Sequence, residues 1–202
     1  SWVAERHPDC TVAIGLEAFD DRVLRFHVNK GFTTKQWHSA VQMLRDNNLR
    51  VKTYLLFKPP FMSEGDALVH TTSWLTKVAP YSDEVSVNPM NIQKNTIVDR
   101  LFRNKEYRPP WLWSLVDMIL RSHEHLGGES CRIIVHPTAG GKIRGAHNCG
   151  ECDSEVVAAI ERYSVSGDTE EFDHLECSCK SHWRTEIEND NSFPMPLGFG
   201  TF

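Results

Sequence analysis

Four cysteines and two histidines near the C-terminal end carry the plainest chemistry in the sequence. They read His147-Asn148-Cys149-Gly150-Glu151-Cys152 and, further on, Cys177-Ser178-Cys179 with His182 just beyond. A C-x2-C turn answered by a second close pair offers four soft ligands to one ion, the pattern of a closed structural zinc site. Zinc is therefore expected at Cys149, Cys152, Cys177 and Cys179, with His147 or His182 as alternates for one thiolate. A filled tetrahedron leaves no position open for reaction, so the cluster is expected to hold structure rather than to catalyse. An iron–sulfur cluster is the other reading of the same spacing. Cys10 and Cys131 stand apart and read as small hydrophobes.

A second set of polar residues sits where β-type runs stop. Thr11–Leu16 is a short apolar run that reads as a buried strand ending at Glu17; Val51–Phe57 ends at Lys58-Pro59-Pro60; Val85–Val87 ends at Asn88-Pro89; Arg132–Val135 ends at His136-Pro137. Helical patterns separate these runs: about 34–47 with Thr34 as N-cap, Ser63 to about Val78, Asn95 to about Arg103, Trp111 to about Leu126 closed by Gly127-Gly128, and Ser154 to Tyr163 between the cysteine pairs. After about Trp183 no period is visible. Alternating strands and helices predict a parallel sheet of right-handed β-α-β units, whose strand carboxyl ends share one edge. Active sites of such sheets lie on that edge. Each residue also has a plainer role: Glu17 as a helix-start carboxylate, Lys58 as a solvated lysine before a turn, Asn88-Pro89 as a turn. The loop Gly140-Gly141-Lys142-Ile143-Arg144-Gly145 could cradle a phosphate or simply lead into the cysteines. Trp111 and Trp113 could stack on bases but are expected in the core.

The chain has 202 residues, 40% hydrophobic and 24% charged, with a formal net charge of −5. That balance excludes a general nucleic-acid coat while allowing a local basic patch. No apolar run approaches the ~20 residues of a membrane span, and the charged start, Ser1 to Pro8, is no signal peptide. Paired cysteines without a secretion signal favour metal over disulfides, and hence a cytoplasmic protein. Four strands do not close a barrel, which takes ~250 residues and eight strands.

In order and spacing, several segments resemble the second half of a radical S-adenosylmethionine enzyme of the archaeosine-synthesis group, related to the catalytic subunit of Elongator. They are Ala13-Ile14-Gly15-Leu16-Glu17, Val28-Asn29-Lys30-Gly31-Phe32-Thr33, Tyr54-Leu55-Leu56-Phe57-Lys58-Pro59-Pro60-Phe61, Ser86-Val87-Asn88-Pro89, Tyr107-Arg108-Pro109-Pro110-Trp111-Leu112-Trp113-Ser114 and Arg144-Gly145-Ala146-His147-Asn148-Cys149. The resemblance implies an α/β fold, an incomplete parallel (β/α) barrel over residues 1–138, followed by a small zinc-binding extension over 139–202. It implies a 4Fe-4S cluster and S-adenosylmethionine in the complete enzyme, with Glu17, Lys30, Lys58 and Asn88 near the cofactor, lyase-type radical chemistry on a 7-deazaguanine base, tRNA as partner and a possible partner subunit. Catalytic residues are not assigned by it. The C-x3-C-x2-C loop that holds the radical cluster in such enzymes is absent; Gly145 stands where its first cysteine would precede Cys149 and Cys152. The chain is accordingly expected to be a fragment or a shortened lineage, unable to cleave S-adenosylmethionine alone. The alternatives are a non-catalytic zinc-stabilised module that binds RNA or protein, and an unrelated zinc-stabilised α/β domain.

Overall fold

β-Branched and aromatic residues crowd the four apolar runs, and all four become strands in the computed structural model, which describes residues 5–7, 9–126 and 131–192. They are β1 (Thr11–Glu17), β2 (Arg50–Phe57), β3 (Glu84–Pro89) and β4 (Arg132–Val135). All pairings are parallel, in the order β1-β2-β3-β4, with Val12 opposite Val51, Thr53 opposite Val85 and Val85 opposite Ile133. The strand order never reverses. Right-handed crossovers that always step the same way leave the helices on one face, the winding of a barrel arc rather than of a doubly wound sheet.

The two faces differ accordingly. Along β2, Val51, Thr53, Leu55 and Phe57 are buried while Lys52, Tyr54 and Leu56 are half-buried. The half-buried face carries an ion pair between neighbouring strands, Lys52 to Glu84 at 2.6 Å. β1 departs from the buried strand expected for it. Thr11 and Ala13 are exposed, because among the described residues β1 pairs with β2 alone and so forms an edge. The opposite edge is blunted at Val135: the Ser164 hydroxyl donates to Val135 O and accepts from Val135 N, which satisfies two of the groups a further strand would use.

The connecting helices are α1 (Asp21–Val23), running into a π-helix at Leu24–Val28, then α2 (Thr34–Asp46), α3 (Glu64–Val78), α4 (Ile97–Arg103), α5 (Leu112–Leu126), α6 (Asp153–Ser166) and α7 (Lys180–Ser192). Their starts follow capping chemistry. Thr33, not Thr34, caps α2 in a full capping box with Gln36, and Ser63 caps α3. Thr96 caps α4, so the helix starts after Asn95, which adopts a left-handed φ of 64°. The Gly127-Gly128 stop of α5 lies outside the described residues. α7 was invisible as a period because its residues are mostly polar, but tertiary bonds hold it: Trp183 Nε1 donates to Ser114 Oγ at 2.8 Å, Glu186 accepts from Trp111 Nε1 at 2.8 Å, and Asp190 accepts from Gly65 N at 2.9 Å. One hydrophobic core runs from Leu55 and Trp74 through Trp113 and Leu115 to Val156, Tyr163 and Trp183. Trp111 and Trp113 thus belong to the core, as expected.

The loop after β4 is fixed by charge. Asp99 of α4 is 3% exposed, accepts from Arg144 Nη2 at 2.6 Å and Arg103 Nη2 at 2.8 Å, and takes the Asn95 amide as well. The Arg144 guanidinium first, then the Asn95 amide, holds its carboxyl down at about 2 against 3.8 for the free group. A depressed carboxylate stabilises the fold at pH above its unfolded value and loses that contribution as pH falls toward the folded one. Urea midpoints taken downward from pH 4 should therefore fall less steeply in Asp99→Asn, which starts from a lower plateau, than in the parent chain. Arg144 is consumed in this pairing, which leaves Lys142, exposed, as the cation a phosphate-binding Gly140–Gly145 loop would use.

Candidate metal centre and strand-end site

The turn Cys149-Gly150-Glu151-Cys152 folds back tightly because Gly150 takes φ = 96°, a conformation open to glycine. Asp153, the first residue of α6, locks that turn by accepting from Asn148 N at 2.9 Å and Gly150 N at 2.6 Å. Cys177 and Cys179 come from the turn that opens α7. The four sulfur atoms all lie within 4.8 Å of one another. Cys149–Cys177 and Cys152–Cys179 are 3.7 Å apart, and Cys149–Cys152 is 3.9 Å. Bonds of ~2.3 Å to one tetrahedral ion place sulfur atoms roughly 3.8 Å apart. The group therefore fits a single ion; a four-iron cube would spread its thiolates further, and a disulfide would draw a pair to ~2 Å.

Donors support the sulfurs from outside. Trp113 Nε1 reaches Cys179 Sγ at 3.2 Å and Asn148 Nδ2 reaches Cys152 Sγ at 3.3 Å. Asn148 also accepts from Trp113 N at 3.2 Å, so the start of α5 and the metal turn are built as one unit. As thiols, Cys149, Cys152 and Cys179 are unequal. The main-chain amides of Cys152 and Glu151 hold Cys149 down at about 7, while burial pushes Cys179 up to about 11 and Cys152 higher still. Buried thiolates need a cation to be stable, which a metal ion supplies. The histidine alternates fall outside the four-sulfur group: His147 Nδ1 bonds to Gly145 O at 2.8 Å, and His182 is exposed. Cys10 and Cys131 are half-buried.

At the strand carboxyl ends Glu17 meets Lys30, whereas Lys58 is paired with Glu64. Glu17 and Lys58 both adopt left-handed backbone, with φ of 74° and 57°. Glu17 turns back over Gly15, where a Cβ would lie 2.9 Å from its Oε1, and receives Lys30 Nζ at 3.0 Å. The end of β1 and the residue following the π-helix turn are thereby joined in a half-buried ion pair. Lys58 enters a buried pair with Glu64 at 2.6 Å, with side chains 6% and 0% exposed. Glu64 also accepts from Trp111 N at 2.8 Å, and Tyr107 Oη donates to Lys58 O at 2.7 Å. Burial raises the Tyr107 pKa well above the ordinary phenol value. Asn88 is half-buried at the end of β3. A cavity of about 540 Å³ opens beside Lys58, Arg108 and His147 and is walled by Glu186 and Asp190 of α7. Sequence reasoning missed Glu64, Asn148 and Asp153. The only sequence trace of Asp153 is an acidic residue directly after the second cysteine, at a helix start.

Along 92% of its length the chain is 35% identical to archaeosine synthase subunit beta of Methanosarcina acetivorans, and along 93% it is 37% identical to the same subunit of Thermococcus kodakarensis. The chain resembles archaeosine synthase subunit beta. An uncharacterised protein of Methanocaldococcus jannaschii is 30% identical over 93% of the chain. The chain spans about half the length of these relatives, covering 54%, 58% and 51% of them. No protein-family profile matches it. Among solved structures, archaeal Elp3 of Methanocaldococcus infernus, lacking residues 1–46, superposes with a TM-score of 0.59 at 15% identity, over 78% of this chain and 36% of that one. That likeness carries the fold: a parallel α/β arc. Among the described residues, no helix is long and apolar enough to cross a membrane.

The first cysteine of a C-x3-C-x2-C triplet has no room at position 145. A Cβ on Gly145 would stand 2.2 Å from Ala139 O and 2.7 Å from Ala139 C, both backbone atoms that cannot swing aside. Gly145→Cys should therefore cost about 1–3 kcal/mol in a urea melt, and anaerobic iron reconstitution should give no cluster absorbance beyond that of the parent chain.

Proposed function

We propose that this chain is part of a radical S-adenosylmethionine enzyme that modifies a 7-deazaguanine base in tRNA on the route to archaeosine, with residues 1–138 as its barrel portion and 139–202 as a metal-binding extension. The observation that carries the reading is the 35–37% identity to archaeosine synthase subunit beta along nearly the whole chain. The subunit name of those relatives supports a partner subunit, and tRNA is the macromolecular substrate.

The Cys149, Cys152, Cys177 and Cys179 group holds a structural zinc ion. Its sulfur separations suit one tetrahedral ion, and none of the four positions is left open for a substrate. The radical cluster of the complete enzyme is not held by these cysteines, so no step is routed through them. S-adenosylmethionine, when bound with that cluster, supplies the hydrogen-abstracting radical. This chain's share would be to bind and orient the cofactor: Glu17 and Lys30, now paired with each other, would serve its ammonium and carboxylate, and Asn88 would offer an amide from the next-but-one strand end. Lys58 has its charge matched by Glu64, and contributes by fixing the β2 end rather than as a free cation.

Disrupting the gene for this chain in its host and measuring archaeosine in total tRNA by mass spectrometry tests the reading. Loss of the nucleoside is expected, and unchanged archaeosine overturns it. The isolated chain, reconstituted anaerobically with iron and sulfide, should release no 5'-deoxyadenosine; robust release would show that the cluster ligands are misassigned.

A further inference from the structure

The cavity of about 540 Å³ beside Lys58 has acceptors that the strand-end ion pairs do not use. Glu17, Lys30 and Asn88 do not line it; its sides are the loop after β2, the segment after α4, the turn before the cysteines and α7. Glu186 and Asp190 stand one turn apart on α7 and so share a face of that helix. Each spends one oxygen on the fold: Glu186 Oε2 accepts from Trp111 Nε1 at 2.8 Å, and Asp190 Oδ2 accepts from Gly65 N at 2.9 Å. An ionised carboxylate has two oxygens and about four lone pairs. Among the described residues, Glu186 Oε1 and Asp190 Oδ1 have no donor. The fold therefore fixes both side chains and leaves each with an acceptor to offer. His147 lines the same cavity, and its Nδ1 donates to Gly145 O at 2.8 Å, which leaves Nε2 as a third acceptor in the neutral ring.

The cations around the cavity are committed elsewhere or lie at its rim. Lys58 is closed on Glu64 at 2.6 Å. Arg108 lies over the Trp111 ring at 3.9 Å and gives its Nη groups to the carbonyls of Pro109, His147 and Asn148. Lys105 and Glu106 are neighbours, both exposed, and offset each other. Phe61 and Ile143 add apolar surface, 52% and 70% exposed. Apolar walls with a few convergent polar groups, in a space of this size, are the form of a small-ligand site. A ligand that suits it is flat, apolar on its faces and rich in donors along one edge. A guanine-type base has that form: its ring N–H and exocyclic amine lie side by side and match two carboxylate oxygens. A 7-deaza ring keeps this edge. Adenine sets an acceptor beside its amine, which a carboxylate repels, and hypoxanthine lacks the amine. An enzyme that acts on a base in RNA takes it out of the stack and reads its pairing edge in a pocket.

We propose that this cavity receives a guanine-type base, with Glu186 and Asp190 accepting from its ring N–H and exocyclic amine and with Phe61 and Ile143 against the ring. The proposal rests on the base-modifying function proposed above and names the residues that recognise the base. The test is saturation-transfer NMR of the metal-loaded chain, titrated separately with guanosine, inosine and adenosine. Guanosine should bind about tenfold or more tightly than either of the others, the discrimination that a good bidentate contact supplies. Glu186→Gln and Asp190→Asn each keep an oxygen for Trp111 Nε1 or Gly65 N while presenting an amide donor to the ligand. Each should weaken guanosine about tenfold and narrow its lead over adenosine. Guanosine that binds no better than adenosine, or that binds the parent and both variants equally, overturns the proposal. Absence of guanosine binding overturns it too, and archaeosine lost on gene disruption then keeps the function and discards the cavity alone. Displacement of guanosine by an equal concentration of 1,4-diaminobutane shows a general cation site and overturns the proposal. Circular dichroism and metal content equal to those of the parent establish that each variant is folded, and the nucleoside comparison on the parent chain decides the matter even where a variant is not.

Discussion

Cys179→Ser should leave the protein without its metal ion and without a stable C-terminal third. The Cys179 sulfur is buried, lies 3.7 Å from Cys152 and accepts from Trp113 Nε1. Its replacement by a hydroxyl removes a soft ligand and alters the acceptor of an indole donor in the core. A structural zinc ion contributes on the order of 10 kcal/mol of apparent folding energy, which rivals the whole stability of a domain, about 5–15 kcal/mol. At about 2–4 °C per kcal/mol for a chain of this size, the melting transition should drop by tens of degrees or vanish. Cys149→Ser, at the exposed corner of the group, should do less harm to packing while lowering metal affinity. Elemental analysis of the parent should return about one zinc per chain, and under about one-tenth of an equivalent of zinc and iron together would sink the assignment.

The second large effect is expected at a residue with no apparent role in the sequence. Glu64→Gln keeps an acceptor for the Trp111 amide but leaves the Lys58 ammonium buried without its counter-charge. Removing one member of a buried pair costs roughly 3–5 kcal/mol. A lower urea midpoint of that size is expected. Lys58→Met combined with Glu64→Gln should recover much of it, since no charge is then stranded. If the double variant is as unstable as the single one, the pair is not the cause and the Glu64–Trp111 contact is.

Local periodicity made the strands legible, and the sequential alternation of elements made the arc legible too, because apolar β-branched runs between capped helices have few other solutions. The four thiols were legible for a similar reason: short C-x2-C and C-x-C spacings leave each pair little choice but to converge. What the sequence hid was everything made by contacts distant along the chain. α7 carries no apolar stripe; its place is set by Trp183 on Ser114 and Asp190 on Gly65. Glu64 reads as an ordinary first-turn acid until β2 delivers Lys58 beneath it. β1 reads as buried from its composition, and only the sheet order shows that it lies at an edge. Arg144 looked available for phosphate until α4 placed Asp99 against it.

α7 begins directly after the Cys177-x-Cys179 turn and, through Glu186 and Asp190, forms one wall of the cavity beside Lys58. Thirteen residues of helix span about 20 Å at ~1.5 Å each. The helix is therefore a beam with one foot bolted to the thiolate corner and the other resting on the main chain of α3. An ion held at that corner would set the reference from which the distant wall is measured, and the thiol corner would calibrate a cavity it never touches.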